Sequence, residues 1–235
     1  MTRNRTPPVR DGVGASSVTL PNTGPWPRVL DFLIARFPTI PASTWIARFE
    51  QGVIFDAGGQ PMSAEAPFRG QAQVYYYRDL DDEVPVPFEA PIVFPDEFLV
   101  VADKPHFLSV LPAGRHVQET LLVRLRRATG IETLAPMHRI DRETAGIVVF
   151  VVRPETRDAY QSLFRNRAVE KHYEAVAPLA GASAGAQATP LQFPMRYQAH
   201  LRKSSNFMQM EVADGPQNSE TGLDLLAADP ETGLG

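Results

Sequence analysis

Cysteine is absent from the 235 residues. Disulfides, thiolate nucleophiles and thiolate metal sites are therefore excluded. No apolar run approaches the roughly 20 residues that a membrane-spanning helix needs. The amino terminus, MTRNRTPPVRDGVGASS, is polar and proline-containing and lacks the apolar core of a signal peptide. A cytoplasmic protein without a membrane partner is the expectation. Neither a Walker loop nor a His-Glu-x-x-His pair occurs, and internal repeats are missing.

What is present suits a folded protein. Apolar residues make up 43% and charged residues 21% of the chain, as in ordinary globular domains. The length allows one large domain or two smaller ones. The net charge of −4 is unevenly spread. Asp79–Glu97 carries seven acids and no base, and Glu211–Gly235 carries six acids and no base. From Asp103 to Lys171, twelve basic residues face eight acidic ones, a local balance of +4. That middle stretch permits phosphate contacts without demanding them.

In chain order, residues 1–25 read as a flexible arm. WPRVLDFLIARF, from Trp26 to Phe37, places Val29, Leu30, Leu33, Ile34 and Phe37 at helical spacing. A second short helix follows after Pro41 and ends near Gly52. VIFDAGGQPM and AQVYYYR then read as strands around a Gly-Gly turn. Together, 26–78 form a small helix-hairpin module. Residues 79–91, DLDDEVPVPFEAP, are acidic and proline-rich and are expected to form an extended linker. The remaining domain, 92–235, opens with two short strands in IVFPDEFLVVADKP. Gln118–Thr129 is expected to be a helix with Leu121, Leu122, Leu125 and Ala128 inward. Its arginines 124, 126 and 127 read either as a solvated face or as a phosphate-tracking edge. Gly146–Arg153 reads as a buried strand. The helix begun by Pro154 is expected to bury Ala159, Tyr160, Leu163 and Phe164. Lys171–Ala177 and Asn206–Val212 alternate like strands, and Gly181–Thr189 reads as a loop.

Met137–Gly146, MHRIDRETAG, concentrates charge against the apolar run Ile147–Val152. Charges at the mouth of a buried strand are costly unless paired or used. Several readings stay open from the residues alone. His138 suits a satisfied turn or core histidine as well as a working one. Arg142 and Glu143 can form a surface pair worth ~0–1 kcal/mol. Tyr173 can be a core tyrosine. Asp141 and Glu143 as a glycosidase pair would need a third element to position a sugar. A kinase is excluded because the glycine-rich loop and the Asp-Phe-Gly step are missing.

Taken in order, Lys104-Pro105, the nonapeptide His138-Arg139-Ile140-Asp141-x-x-Thr144-x-Gly146 and Lys171-His172-Tyr173 resemble the signature steps of the RluA family of RNA pseudouridine synthases. Two departures stand out. Ala145 replaces the usual serine, and HFLSVLPAG after Lys104-Pro105 differs from the usual loop.

The resemblance implies an α+β fold: a mixed, mostly antiparallel sheet flanked by helices, preceded by a small S-four-like RNA-binding module at 26–78. It implies isomerisation of uridine to pseudouridine in ribosomal or transfer RNA, on a flipped-out base, with no cofactor and no metal. Asp141 would be the essential carboxylate. Arg139 would occupy the place the base vacates, and Tyr173 would lie against the flipped base. His138, Arg142 and Lys171 would join Arg139 in contacting the RNA. Thr144 and Gly146 would shape the turn into the strand. The family's Thr-Gly-Arg-x-His-Gln segment, whose arginine pairs with the aspartate, is not in the sequence, so a catalytic domain incomplete at its C-terminal end is expected. The alternative is a truncated, non-catalytic RNA-binding relative.

Overall fold

The computed structural model describes residues 7–78, 83–179, 192–206 and 209–235. By internal contacts the chain parts into two units, Met1–Val169 and Glu170–Gly235.

The first unit opens with β1 (Ser16–Thr19), α1 (Val29–Arg36), α2 (Ala42–Glu50), β2 (Ile54–Phe55) and β3 (Gln73–Tyr76). Arg28 fixes the start of α1. Its backbone N–H and its guanidinium both donate to the Asp31 carboxylate, at 2.8–3.1 Å, which supplies negative charge at the helix N-terminus. The helical spacing puts Val29, Leu30 and Leu33 into a core with Trp45, Phe49, Ile54, Val74 and Tyr76. The three strands form an antiparallel sheet in the order β1-β3-β2.

Residues 7–20, expected as part of a flexible arm, are instead packed, whereas 21–25 are exposed. β1 pairs along β3 in register from Ser16↔Tyr76 to Thr19↔Gln73, and Val13 and Leu20 are buried. Val13 and Leu20 lie outside any helix, yet each found a core. Residues 1–6 lie outside the described part.

The second half of this unit carries the sheet that presents the signature stretch. β4 (Ile92–Pro95) and β5 (Leu99–Lys104) form the expected pair, and β6 (Ala135–Pro136) and β7 (Gly146–Val151) complete it. The order is β4-β5-β7-β6, all antiparallel. Asp96 closes the β4–β5 turn by accepting from the N–H groups of Phe98 and Leu99. α3 (Leu121–Thr129) ends on Gly130 in the left-handed conformation, φ 71°, where glycine is free of the Cβ penalty. Leu121, Leu122 and Leu125 pack with Val100, Ala102, Val148 and Phe150.

Neither reading of the α3 arginines describes what they do. Arg124 donates to the carbonyls of Val86 and Phe88 and pairs with Glu119. Arg126 donates to the carbonyls of Gly12 and Leu134. Arg127 binds Asp11. The described part of the expected linker, 83–91, is likewise tied down. The Glu83 carboxylate accepts from the backbone N–H groups of Val117, Gln118 and Glu119 at 2.7–2.8 Å, and Val86 N–H donates to Glu119. The segment is a strap over α3, because Glu83 found N–H groups and the Val86 and Phe88 carbonyls found a guanidinium.

A 3-10 turn (Pro154–Thr156) leads into α4 (Arg157–Arg165). None of its residues is buried, and Leu163 is exposed. The helix forms where expected, but Ala159, Tyr160, Leu163 and Phe164 are not in a core.

The second unit holds β8 (Met195–Ala199), β9 (Leu201–Lys203), β10 (Met210–Val212) and β11 (Ser219–Leu223). β8 pairs with β11, and β9 with β10, again antiparallel. The strand expected at Lys171–Ala177 does not form. Among the described residues its backbone hydrogen bonds are confined to Ala177, which exchanges a pair with Gly235, while the His172 ring contacts the Glu170 carboxylate. The strand expected at Asn206–Val212 shortens to β10, Phe207 lies outside the described residues, and so does the expected loop Gly181–Thr189. The described architecture is α+β with antiparallel strand pairs and few helices.

Candidate active site

The signature stretch is the connection from β6 to β7. Met137 continues the ladder, its N–H donating to the Val149 carbonyl at 2.9 Å. The next β7 donor is taken by a side chain: Val149 N–H donates to His138 Nε2 at 3.3 Å. The His138 ring also stacks on Phe164, with centroids 5.1 Å apart. His138 thus acts as a brace between loop, strand and α4. These two contacts give His138 a structural role in the loop.

Beyond it, side chains alternate in direction. Arg139 and Asp141 are exposed, while Ile140 packs against the sheet's core. Asp141 then begins a tight turn, closed by Thr144 N–H donating to the Asp141 carbonyl at 3.1 Å. Gly146 re-enters the sheet at φ 128°. Space for a Cβ is open there, so glycine is needed for its backbone conformation and not for room.

Two residues from the end of β5 grip this turn. Lys104 is completely buried, and its ammonium donates to the carbonyls of Pro105, Leu108 and Arg142 at 2.9, 2.8 and 3.2 Å. Three carbonyls satisfy the three donors that an ammonium carries. Burial pushes the Lys104 pKa down, and the Glu143 and Asp141 carboxylates oppose that shift. His106 Nδ1 lies 2.6 Å from the Glu143 carbonyl oxygen. Two successive carbonyls of the turn, those of Arg142 and Glu143, are therefore held.

Around this frame the charges are unequal in state. Arg142 and Glu143 form the exposed surface pair at 2.8 Å, and the Arg142 hydrogen bond holds the Glu143 carboxyl below its usual range. Among the described residues, the Asp141 side chain makes no hydrogen bond or ion pair. A carboxylate that is exposed, unpaired and mounted on a fixed turn is available to a ligand.

Lys171 and Tyr173 belong to the second unit, in a stretch without regular structure, and both are exposed. Tyr173 is 62% exposed, which removes the core-tyrosine reading. Thus Arg139, Asp141, Arg142 and His138 are gathered on one short connection, whereas Lys171 and Tyr173 stand in a separate unit. Lys104 and His106 were not singled out as site residues from the sequence. The Lys104-Pro105 step is the available signal for the first, and the departure of HFLSVLPAG from the usual loop is the one for the second. Among the described residues no cluster suited to a metal ion occurs, and no helix is long and apolar enough to cross a membrane.

Comparison with known proteins places this site in context. Residues 98–233 match the family model described as RNA pseudouridylate synthase. An uncharacterized RNA pseudouridine synthase of Synechocystis sp. is 30% identical over 148 residues, covering 63% of this chain and 50% of that protein. The tRNA pseudouridine synthase C of Vibrio cholerae is 33% identical over 87 residues, covering 36% of this chain and 35% of its own. Among solved structures, human RNA pseudouridylate synthase domain containing 4 is similar at 24% identity and a TM-score of 0.37, over 58% of this chain and 48% of that one. The chain spans half the length, or less, of these curated relatives.

Proposed function

The chain belongs to the RNA pseudouridylate synthase family, and from that footing we propose that it isomerises uridine in RNA to pseudouridine through Asp141. The observation that carries this reading is the exposed Asp141 carboxylate, without a hydrogen bond or ion pair among the described residues, at the head of a turn gripped by Lys104 and His106.

The reaction breaks the bond from uracil N1 to the anomeric carbon, turns the base, and joins its C5 to the same carbon. N1 gains a proton and C5 loses one, so the balance closes without an oxidant or a cofactor. A carboxylate ionised near neutral pH serves as nucleophile or as electrostatic partner. The base must leave its stack first, at a cost of a few kcal/mol. Arg139 is the residue for the vacated place, since a planar guanidinium stacks on bases and binds phosphate. Tyr173 would offer stacking worth ~1–3 kcal/mol against the flipped base. Lys171 and Arg142 would contact phosphates, and His138 would brace the loop beneath them.

The substrate is proposed to be ribosomal or transfer RNA. The Vibrio cholerae relative, named as a tRNA pseudouridine synthase, supports the second. Residues 26–78 precede the matched region and are proposed as an RNA-binding module. A cytoplasmic location belongs to the same proposal and is tested by cell fractionation.

The experiment is tritium release from RNA labelled at C5 of uridine, with this chain and its Asp141→Asn and Asp141→Ala variants. Release by the unaltered chain alone, with RNA binding retained in the variants, is the expected result. Equal release by Asp141→Ala would sink the assignment. If the unaltered chain releases nothing from ribosomal or transfer RNA, the non-catalytic RNA-binding reading replaces it.

A further inference from the structure

The loop after Lys104-Pro105 departs from the family's usual sequence, and its first residue is His106. His106 stands two residues beyond the end of β5. Its Nδ1 is 2.6 Å from the Glu143 carbonyl oxygen. A carbonyl oxygen only accepts, so Nδ1 carries the hydrogen and the Nε2 of the neutral ring is bare. Lys104 meanwhile holds the neighbouring carbonyl, that of Arg142. One contact fixes a point on the turn; two contacts on successive peptides fix its orientation. Asp141, whose own carbonyl closes the turn, stands at the head of the turn that this pair holds.

We propose that His106 is a positioning residue that aims the Asp141 carboxylate. The inference rests on the reading of Asp141 as the reacting group. His106 is exposed, so shortening it leaves no buried void, and the fold should not depend on it. Its effect is confined to the geometry of the turn.

The first test needs no turnover. Long-range proton–nitrogen correlations of the His106 ring, recorded on the full chain in mildly alkaline buffer, are expected to show the Nδ1–H tautomer. An Nε2–H ring would overturn the inference. The second test is kinetic, with His106→Ala, His106→Asp and His106→Asn. Asparagine places an N–H close to the Nδ1 position, whereas an ionised aspartate only accepts. We expect kcat for tritium release to fall about tenfold in the Ala and Asp variants, less than the ~100-fold that an ångström of misplacement can cost. Asparagine should restore kcat to within about twofold, with KM for RNA and the thermal midpoint unmoved in all three. An unchanged kcat in His106→Ala, a loss that asparagine does not restore, or an effect on KM alone would each overturn the proposal. An inactive unaltered chain with the Nδ1–H ring would instead sink the synthase reading, and the positioning role with it, leaving only the contact.

Discussion

The buried ammonium of Lys104 donates to the carbonyl of Arg142, one residue past Asp141. The end of β5 and the turn that presents the Asp141 carboxylate are thereby one piece. Lys104 also faces Gly146 across the sheet, so the turn is anchored by register at one end and by a charge-assisted hydrogen bond in its middle.

Lys104→Met keeps most of the buried volume and removes the donor for three carbonyls. Unsatisfied buried acceptors cost ~1–3 kcal/mol. Urea unfolding should show a lower midpoint at unchanged slope, and tritium release should fall further than stability does. An unchanged midpoint would mean that water takes over the three acceptors.

The strap over α3 gives a pH-dependent prediction. Burial tends to raise the Glu119 pKa, but the Val86 N–H and Arg124 outweigh it and the net shift is downward. A carboxyl depressed in the folded state binds fewer protons there than when unfolded. Its stabilisation is therefore present above the unfolded value, about 4.3, and is lost as pH falls through the lower folded value. Glu119→Gln should cost about 1 kcal/mol at pH 7, with the gap to the unaltered chain closing below pH 4. A gap that persists in acid would show that charge is not what Glu119 contributes.

Elements with a strong internal period were readable from the sequence, and long-range polar contacts were not. The leucines of α3 found the core their spacing indicated, and of the apolar run of β7 Val148, Phe150 and Val151 are buried while Ile147 is exposed. Arg126, on the same helix, serves the carbonyl of Gly12, 114 residues away. No side-chain pattern announces a backbone acceptor. The alternation in Lys171–Ala177 described a strand's shape but not whether a partner exists to cover it, and the stretch is exposed. Within the signature, residue types pointed to Asp141, while the burial of Lys104 and the hydrogen bond of His106 depend on where β5 ends.

Gly12 is the close approach that seats residues 7–15 on α3. Its φ is 77°, and a Cβ there would sit 2.8 Å from the Val123 carbonyl oxygen. Gly12→Ala adds left-handed strain of ~1–2 kcal/mol and overpacking of ~1–3 kcal/mol. Limited proteolysis within residues 7–15 should accelerate, and the thermal midpoint should drop. Unaltered cleavage would mean that the Arg126 and Arg127 contacts hold this segment without the close approach.

Arg139 makes no hydrogen bond or ion pair among the described residues and is exposed beside the inward-facing Ile140. If its task is to occupy the place a flipped base vacates, its worth depends on whether the substrate is stacked. Unstacking costs a few kcal/mol in a folded stem and little in a flexible strand. Arg139→Ala should therefore lower kcat/KM at least about tenfold more on a structured stem-loop than on an unstructured oligonucleotide carrying the same uridine. Arg139→Lys keeps the charge without the planar face, so it should restore the salt dependence of binding while recovering little of the stem-loop activity. Equal losses on both substrates, fully restored by lysine, would reduce Arg139 to a phosphate contact.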